Sequence, residues 1–179
     1  MTNYLISEAI GDIAGSAYEG KGNRIKDYNK VKMFSSRAHF TDDTVLTFAC
    51  AEATALAIFH LKNGKDKDFI RKSILDKYYP DWSNKKYADF HDSYGFFSTC
   101  AGTVGPAIIC FLESEDYVDC IKLAISLGGD ADTLAAIAGP MAYAFYRSMP
   151  DALVYQAMKK LPDWMVDVSE RFDEIVNSK

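Results

Sequence analysis

Residues 117–146 read YVDCIKLAISLGGDADTLAAIAGPMAYAFY, and this stretch decides the fold class. On both sides of Gly128 and Gly129, apolar residues recur every three or four positions, a spacing that gathers them on one face of a helix. Alanine is frequent in both halves, and its small side chain favours both helix formation and close packing of helices. The stretch therefore predicts two helices joined by a tight turn at the glycine pair.

The same spacing extends along most of the chain. It occurs at Tyr4–Ala17, at Val45–Leu61 and at Thr103–Leu112, and a weaker version is present near the C-terminus. The sequence contains none of the alternating patterns that are typical of strands in hairpins. We therefore predict an all-α protein. With 179 residues, of which 49% are hydrophobic, the chain can bury one substantial core, and a single domain over residues 1–179 is expected.

Charge and cysteine content narrow the classes of function. A net charge of −5 without a long basic run argues against nucleic acid or an anionic membrane as partner, and favours a small-molecule or protein substrate. The cysteines, Cys50, Cys100, Cys110 and Cys120, form no CxxC pair, which indicates free thiols in a reducing compartment. Neither a leader peptide nor an uncharged segment of about 20 residues is present, so we expect a soluble cytoplasmic protein.

Two acidic motifs stand where helices are predicted to begin. The first is Phe40–Thr44, FTDDT, and the second is Gly128–Thr133, GGDADT. Helix capping needs one side chain and is worth about 0.3–1 kcal/mol, and for either motif alone it stays open as an explanation. Each motif, however, supplies two carboxylates and at least one hydroxyl. Four carboxylates packed together repel one another unless a cation neutralises them, and such oxygen ligands select Mg²⁺, Mn²⁺ or Ca²⁺.

A third acidic residue, Glu19, ends the segment Gly11–Glu19, GDIAGSAYE. The small residues of this segment allow the backbone to approach another helix or a ligand closely. Helix packing and a functional site are therefore both open as explanations for it.

Three segments together resemble a known family. In this order, GDIAGSAYE, FTDDTVLTFACAEA and LAISLGGDADTLAAIAGPMAYAFY are similar to the ADP-ribosylglycohydrolase family, which includes the dinitrogenase reductase-activating glycohydrolase. The resemblance implies a compact orthogonal bundle of helices with two Mg²⁺ ions, for which Mn²⁺ can substitute, in a cleft between helix ends. It also implies hydrolysis of the bond between ribose C1″ of ADP-ribose and a side chain or small conjugate. The metal ligands that the matching motifs imply are Thr41, Asp42, Asp43, Asp130, Asp132 and Thr133.

The resemblance also implies a catalytic residue, and a helix start elsewhere in the chain adds candidates for substrate binding. Glu19 matches a glutamate that lies beside the metal ions in the family, where a carboxylate can accept the proton of the attacking water. Glu19 and Asp43 are both candidates for this base, and the sequence does not choose between them. Backbone amides at the helix start near Ser98 can approach a phosphate group. The residues expected to bind ADP-ribose are Ser98, Gly102, Thr103 and Gly129.

The chain departs from the family after Ala53. Typical members continue with further helices and a G-N-G-x-x-M-R motif, whereas this chain runs into Leu56–Gly64, which resembles a helix found after that region. The sequence therefore looks internally shortened, lacking part of the family's central helices and of the cleft wall. Aromatic residues within Tyr78–Phe97 either replace that wall as a stacking surface for adenine or pack as a loop on the core. The residues in question are Trp82, Tyr87, Tyr94 and Phe96.

Three functions are compatible with these patterns. The first is a metal-dependent hydrolase that releases ADP-ribose from a protein side chain or a small conjugate. The second is a binding module that holds ADP-ribose through the metal ions without cleaving it. The third is a scaffold whose acidic helix starts serve only as caps, and which contacts another protein or a second copy of itself in a homodimer. A cysteine hydrolase is not favoured, because no histidine forms an evident triad with Cys100.

Overall fold

The computed structural model describes residues 4–19, 25–41, 52–97 and 100–177. Every regular element in these ranges is helical, which confirms the all-α prediction. None of the helices described combines the length and apolar composition needed to cross a bilayer. The α-helices are α1 (Tyr4–Ser16), α2 (Glu52–Lys62), α3 (Lys67–Ile70), α4 (Asp76–Tyr78), α5 (Tyr87–Phe90), α6 (Cys100–Glu113), α7 (Tyr117–Leu127), α8 (Ala131–Tyr146), α9 (Asp151–Met158) and α10 (Asp163–Asn177). A π-helical turn, Arg71–Leu75, joins α3 to α4, and 3₁₀ turns occur at Tyr28–Lys30 and Pro80–Trp82.

The central helix is α8, which contacts α1, α2, α6 and α7. Between Ala131 and Ala142 every residue of α8 is buried except Thr133, which is half-buried. A helix that is apolar on all sides is covered on all sides, and the alanines of α8 leave room for several neighbours. The helix predicted from the sequence after Gly129 is thus the one around which the others pack.

Helix α1 lies antiparallel to α8 at very short distance. A methyl group at Gly15 would lie 2.3 Å from Cα of Asp132, and one at Gly11 would lie 2.2 Å from the carbonyl oxygen of Ala135. Glycine is required at both positions because any side chain would occupy the backbone of α8. The close approach anticipated from the small residues of Gly11–Glu19 is therefore made to another helix, and it places the C-terminal end of α1 beside the start of α8.

The turn between α7 and α8 is built from Gly128 and Gly129, as predicted. Both glycines have left-handed backbone angles, with φ of 72° and 70°, which residues with side chains rarely adopt. Gly129 also lies against the backbone of the preceding loop, since a methyl group there would be 2.5 Å from the carbonyl oxygen of Gly95. This turn delivers Asp130 to the first position before α8.

Lys26 links the polar loop that follows α1 to the C-terminal end of α7 by hydrogen bonds. Its ammonium group donates to the carbonyl oxygen of Leu127 at 2.6 Å and to that of His91. Carbonyl groups at a helix C-terminus carry partial negative charge, so a lysine stabilises them. The loop is held a second time by Tyr18, whose hydroxyl donates to the carbonyl of Lys32 at 2.9 Å and accepts from its N–H at 2.7 Å.

Two cysteines of the core match the prediction of free thiols. Cys110 and Cys120 are free and completely buried, and burial raises the pKa of both thiols. Neither has the exposure or the depressed pKa of a reactive cysteine. Cys50 lies outside the described residues.

The C-terminal helix α10 carries an exposed apolar stripe. Trp164 and Ile175 are 60% and 62% exposed, and Val168 and Phe172 lie between them on the same side of the helix. Ser169 and Asp173 are buried on the opposite side. The homodimer stays a prediction, because this stripe alone does not identify what covers it.

Candidate metal centre

Three carboxylates converge where α1 ends and α8 begins. Glu19, Asp130 and Asp132 each offer an oxygen, and these oxygens all lie within 4.8 Å of one another. Glu19 is exposed and Asp130 half-buried, whereas Asp132 is only 1% exposed. The cluster thus joins two motifs that are more than a hundred residues apart in the sequence.

Electrostatics within the cluster are unfavourable without a counter-charge. Burial, followed by hydrogen bonding to Asp130 and by the charge of Glu19, raises the pKa of Asp132 from 3.8 to about 9. A carboxyl group whose charge is disfavoured in this way is stabilised as an anion by a bound cation. The three donors are carboxylate oxygens, so the cluster fits a hard divalent cation.

Thr133 and Asp132 interact within the first turn of α8. The N–H of Thr133 donates to Oδ1 of Asp132 at 3.0 Å. This bond restricts the orientation of the Asp132 carboxylate at a helix start, where an acidic side chain also interacts favourably with the helix dipole. Asp130, the residue before α8, makes no capping hydrogen bond through its side chain, so only the dipole interaction remains of the capping explanation for this motif. The ligand role of Thr133 stays a prediction.

Thr41 is held by α1 through the side chain of Asp12. Its N–H donates to Oδ2 of Asp12 at 2.7 Å, and its hydroxyl donates to Oδ1 of the same side chain at 2.7 Å. One helical turn further along α1, Ser16 Oγ accepts the N–H of His39 at 3.0 Å. The segment leading into the first acidic motif is thereby fixed to α1.

Asp42 and Asp43 lie outside the described residues, as does Ser98. Their roles as ligands, base and phosphate-binding residue stay predictions. Sequence reasoning did not single out Asp12. The signal for it was present, because a carboxylate flanked by Gly11 and the apolar Ile13 on a helix with a buried face needs a partner in the fold.

The remaining substrate-binding candidates contact the loop that precedes α6. The carbonyl oxygen of Gly102 accepts the hydroxyl of Tyr94 at 2.8 Å, and Thr103 Oγ1 donates to the carbonyl of Phe97 at 3.4 Å. Gly129 packs against Gly95 in the same loop. These contacts place the loop next to the acidic cluster, while binding of a phosphate by these residues stays a prediction.

The aromatic residues of that region divide into two groups. Trp82 and Tyr87 pack edge-on against Phe90, at 5.1 Å and 6.1 Å between ring centroids, and Tyr94 is buried. Burial raises the pKa of Tyr94, with smaller contributions that include the charge of Asp130. Tyr94 therefore belongs to the core, and Trp82 and Tyr87 are half-buried and pack against it. Phe96, in contrast, is 64% exposed.

A separate cavity of about 370 Å³ opens between the start of α7 and the end of α8. Its lining contains no residue of the acidic cluster. The residues that line it are Asp116, Tyr117, Val118, Tyr146, Ser148, Met149 and Pro150.

Comparison with known proteins identifies a family. A sequence model described as ADP-ribosylglycohydrolase matches residues 80–178, more than half of the chain, in agreement with the resemblance seen in the motifs. The match includes Asp130, Asp132 and Thr133, whereas Glu19 and Thr41 precede it. Comparisons with curated proteins and with solved structures gave no match.

Proposed function

Because the chain belongs to the ADP-ribosylglycohydrolase family, we propose that it is a Mg²⁺-dependent hydrolase that releases ADP-ribose from a modified protein side chain or small conjugate. The bond cleaved is the N- or O-glycosidic bond at C1″ of the distal ribose. The observation that best supports this proposal is the convergence of Glu19, Asp130 and Asp132 within 4.8 Å. Neither helix packing nor capping needs three carboxylates at one point.

The proposal assigns the cations to oxygen ligands of the two acidic motifs. When bound, Mg²⁺ or Mn²⁺ fixes substrate hydroxyl groups and lowers the pKa of coordinated water. From the described residues, Asp130, Asp132, Thr133 and Thr41 would hold the ions. Asp42 and Asp43 complete the set in the proposal.

Glu19 is proposed as the general base. Of the three clustered carboxylates it is the exposed one, so water and substrate can reach it, whereas Asp132 is buried and has a raised pKa. In hydrolysis the water oxygen bonds to C1″ while the bond from C1″ to the side-chain atom breaks. Glu19 accepts the proton of the water, and the departing nitrogen or oxygen atom takes up a proton. Asp43 remains the second candidate for this role.

Phe96 and Phe97 are proposed to contact the adenine of ADP-ribose. They are 64% and 42% exposed on a loop whose backbone lies against Gly129. An aromatic side chain gains stability by covering its ring, and a nucleobase offers a flat surface for that purpose. This is the part of the predicted stacking surface that the packing of the other aromatic residues leaves accessible.

The proposal is tested by measuring binding and turnover on the same samples. ADP-ribose is titrated calorimetrically in Mg²⁺ and in EDTA, and release of ADP-ribose from arginine- and serine-modified peptides is assayed. The test variant is Asp132→Asn. A matched control is Asp151→Asn, which removes an exposed carboxylate from the first turn of α9 and leaves the cluster intact.

Each result has a defined meaning. Release that requires Mg²⁺, is lost in Asp132→Asn and persists in Asp151→Asn supports the hydrolase. Metal-dependent binding without release identifies a binding module instead. Absence of both binding and any effect of metal leaves the acidic residues as helix caps.

A further inference from the structure

Asp12 is a buried carboxylate outside the three-carboxylate cluster, and it contacts Thr41, one of the candidate ligands. The Asp12 side chain is completely buried, and each of its oxygens accepts a hydrogen bond of 2.7 Å from Thr41. Burying a carboxylate is costly unless strong donors compensate for the lost water. The two bonds to a single residue therefore tie the conformation of Thr41 to the presence of Asp12.

The direction of these bonds has a chemical consequence. A threonine hydroxyl has one proton and two lone pairs, and here the proton is directed to Asp12 Oδ1. With its proton directed to Asp12, Thr41 Oγ1 can contact a cation only through its lone pairs. A carboxylate that accepts the proton of a ligating group also makes that group a better electron donor.

The backbone contact acts on the same motif. The second bond fixes the backbone of Thr41, the residue that directly precedes the acidic pair Asp42 and Asp43 in the sequence. The neighbouring contact between Ser16 and the N–H of His39 holds the chain two residues earlier. The same helix touches the other motif, because Gly15 packs on Cα of Asp132.

From this geometry we infer that Asp12 is a positioning residue, which orients Thr41 as a cation ligand and fixes it to α1, the helix that packs on the start of α8. The part of the inference that concerns cation binding rests on the proposed function. A residue of purely structural importance would affect stability alone. Asp12 should instead affect metal affinity through Thr41.

The experiment is a double-mutant cycle in Mn²⁺ affinity, measured by calorimetry in the absence of substrate. The variants are Asp12→Asn, which keeps the shape but offers one acceptor oxygen instead of two, Thr41→Val, which removes the hydroxyl, and the double variant. Each single change is expected to weaken Mn²⁺ binding about 10- to 100-fold, as is usual for residues that orient a ligand. If the two residues act through one contact, the double variant should bind Mn²⁺ as tightly as whichever single variant binds it less tightly.

A matched control is available in Thr54→Val. The Thr54 hydroxyl is buried and has no hydrogen-bond partner among the described residues, so its removal should leave Mn²⁺ affinity unchanged. Wild-type affinity in a folded Asp12→Asn variant would overturn the inference. So would a double variant whose loss equals the product of the single losses, because two independent sites behave in that way.

Amide hydrogen exchange in the metal-free protein separates this inference from the proposed function. The Thr41 amide is expected to be protected in the wild type and to exchange faster in Asp12→Asn. If the wild type binds no Mn²⁺, the proposed function fails, and an unprotected Thr41 amide would then overturn the positioning role as well. If Asp12→Asn does not fold, Thr41→Ser and Thr41→Val are compared, and equal Mn²⁺ affinities would contradict the orienting role of the hydroxyl.

Discussion

Replacing Gly15 by alanine should separate the two helices that form the acidic cluster. The added methyl group would lie 2.3 Å from Cα and 2.5 Å from the nitrogen of Asp132. Both are backbone atoms of α8, so no side-chain rotation relieves the contact and the helices must move apart by about 1 Å or more to reach ordinary packing distance. Overpacking of this kind costs about 1–3 kcal/mol. At about 2–4 °C per kcal/mol for a chain of this length, Tm should fall by about 2–12 °C.

The control for this variant is Gly95→Ala. A methyl group at Gly95 would meet no described atom within 4 Å, so this variant reports only the smaller entropy of the unfolded chain, which stabilises by about 0.4–1 kcal/mol. Both variants are compared by thermal unfolding in EDTA and by Mn²⁺ titration. We expect Gly15→Ala to lose stability and Mn²⁺ affinity together, because α1, which holds Thr41 through Asp12, moves away from Asp130 and Asp132. Equal Tm values for the two variants would show that the contact between α1 and α8 is looser than described.

Three further predictions concern the acidic cluster, a helix cap and the exposed ring. Asp132 binds its proton more tightly in the folded protein, so the free energy of unfolding of the metal-free protein should fall as pH rises from about 4 to about 9, by at most about 1.4 kcal/mol per pH unit. Urea unfolding in EDTA should show a smaller slope for Asp132→Asn. Equal slopes in the wild type and the variant would refute this prediction. Lys67 donates hydrogen bonds to the carbonyl of Ser114 at 2.6 Å and to Tyr146 Oη at 2.9 Å. Lys67→Met should therefore lower the free energy of unfolding in urea by about 1–3 kcal/mol and leave Mn²⁺ affinity unchanged. Phe96→Ala should keep Tm while weakening ADP-ribose binding by about 1–3 kcal/mol in calorimetry, the usual value of one base-stacking contact; an unchanged affinity would exclude Phe96 from the binding surface.

Local sequence was sufficient where local interactions decide the structure. The helices on either side of Gly128 and Gly129 follow from apolar spacing, because backbone hydrogen bonds within a helix join residues only four positions apart. The glycine pair predicted the turn, since its left-handed angles exclude most other residues. Asp130 and Asp132 were recognised as a pair for the same reason, as both belong to one helix start.

Only the tertiary structure could decide which distant residues meet. Glu19 joins Asp130 and Asp132 because Gly11 and Gly15 admit the backbone of α8, and the sequence left a ligand as an alternative explanation for these glycines. The pattern of aromatic residues likewise did not distinguish rings in the core from the exposed Phe96. Such distinctions depend on the packing of several helices at once, which no single segment encodes.

Helix α1 shows most clearly the difference between what the sequence predicts and what the tertiary structure decides. Its helical structure and its small residues could be predicted from the sequence, because helix propensity and periodicity are properties of neighbouring positions. The pairing of Asp12 with Thr41 is not, because it joins residues 29 positions apart through a chain whose path depends on the remaining helices. The sequence by itself determined the helices and the chemistry of the acidic motifs, whereas the tertiary structure alone decided that α1 brings Glu19 to the start of α8 and Asp12 to Thr41.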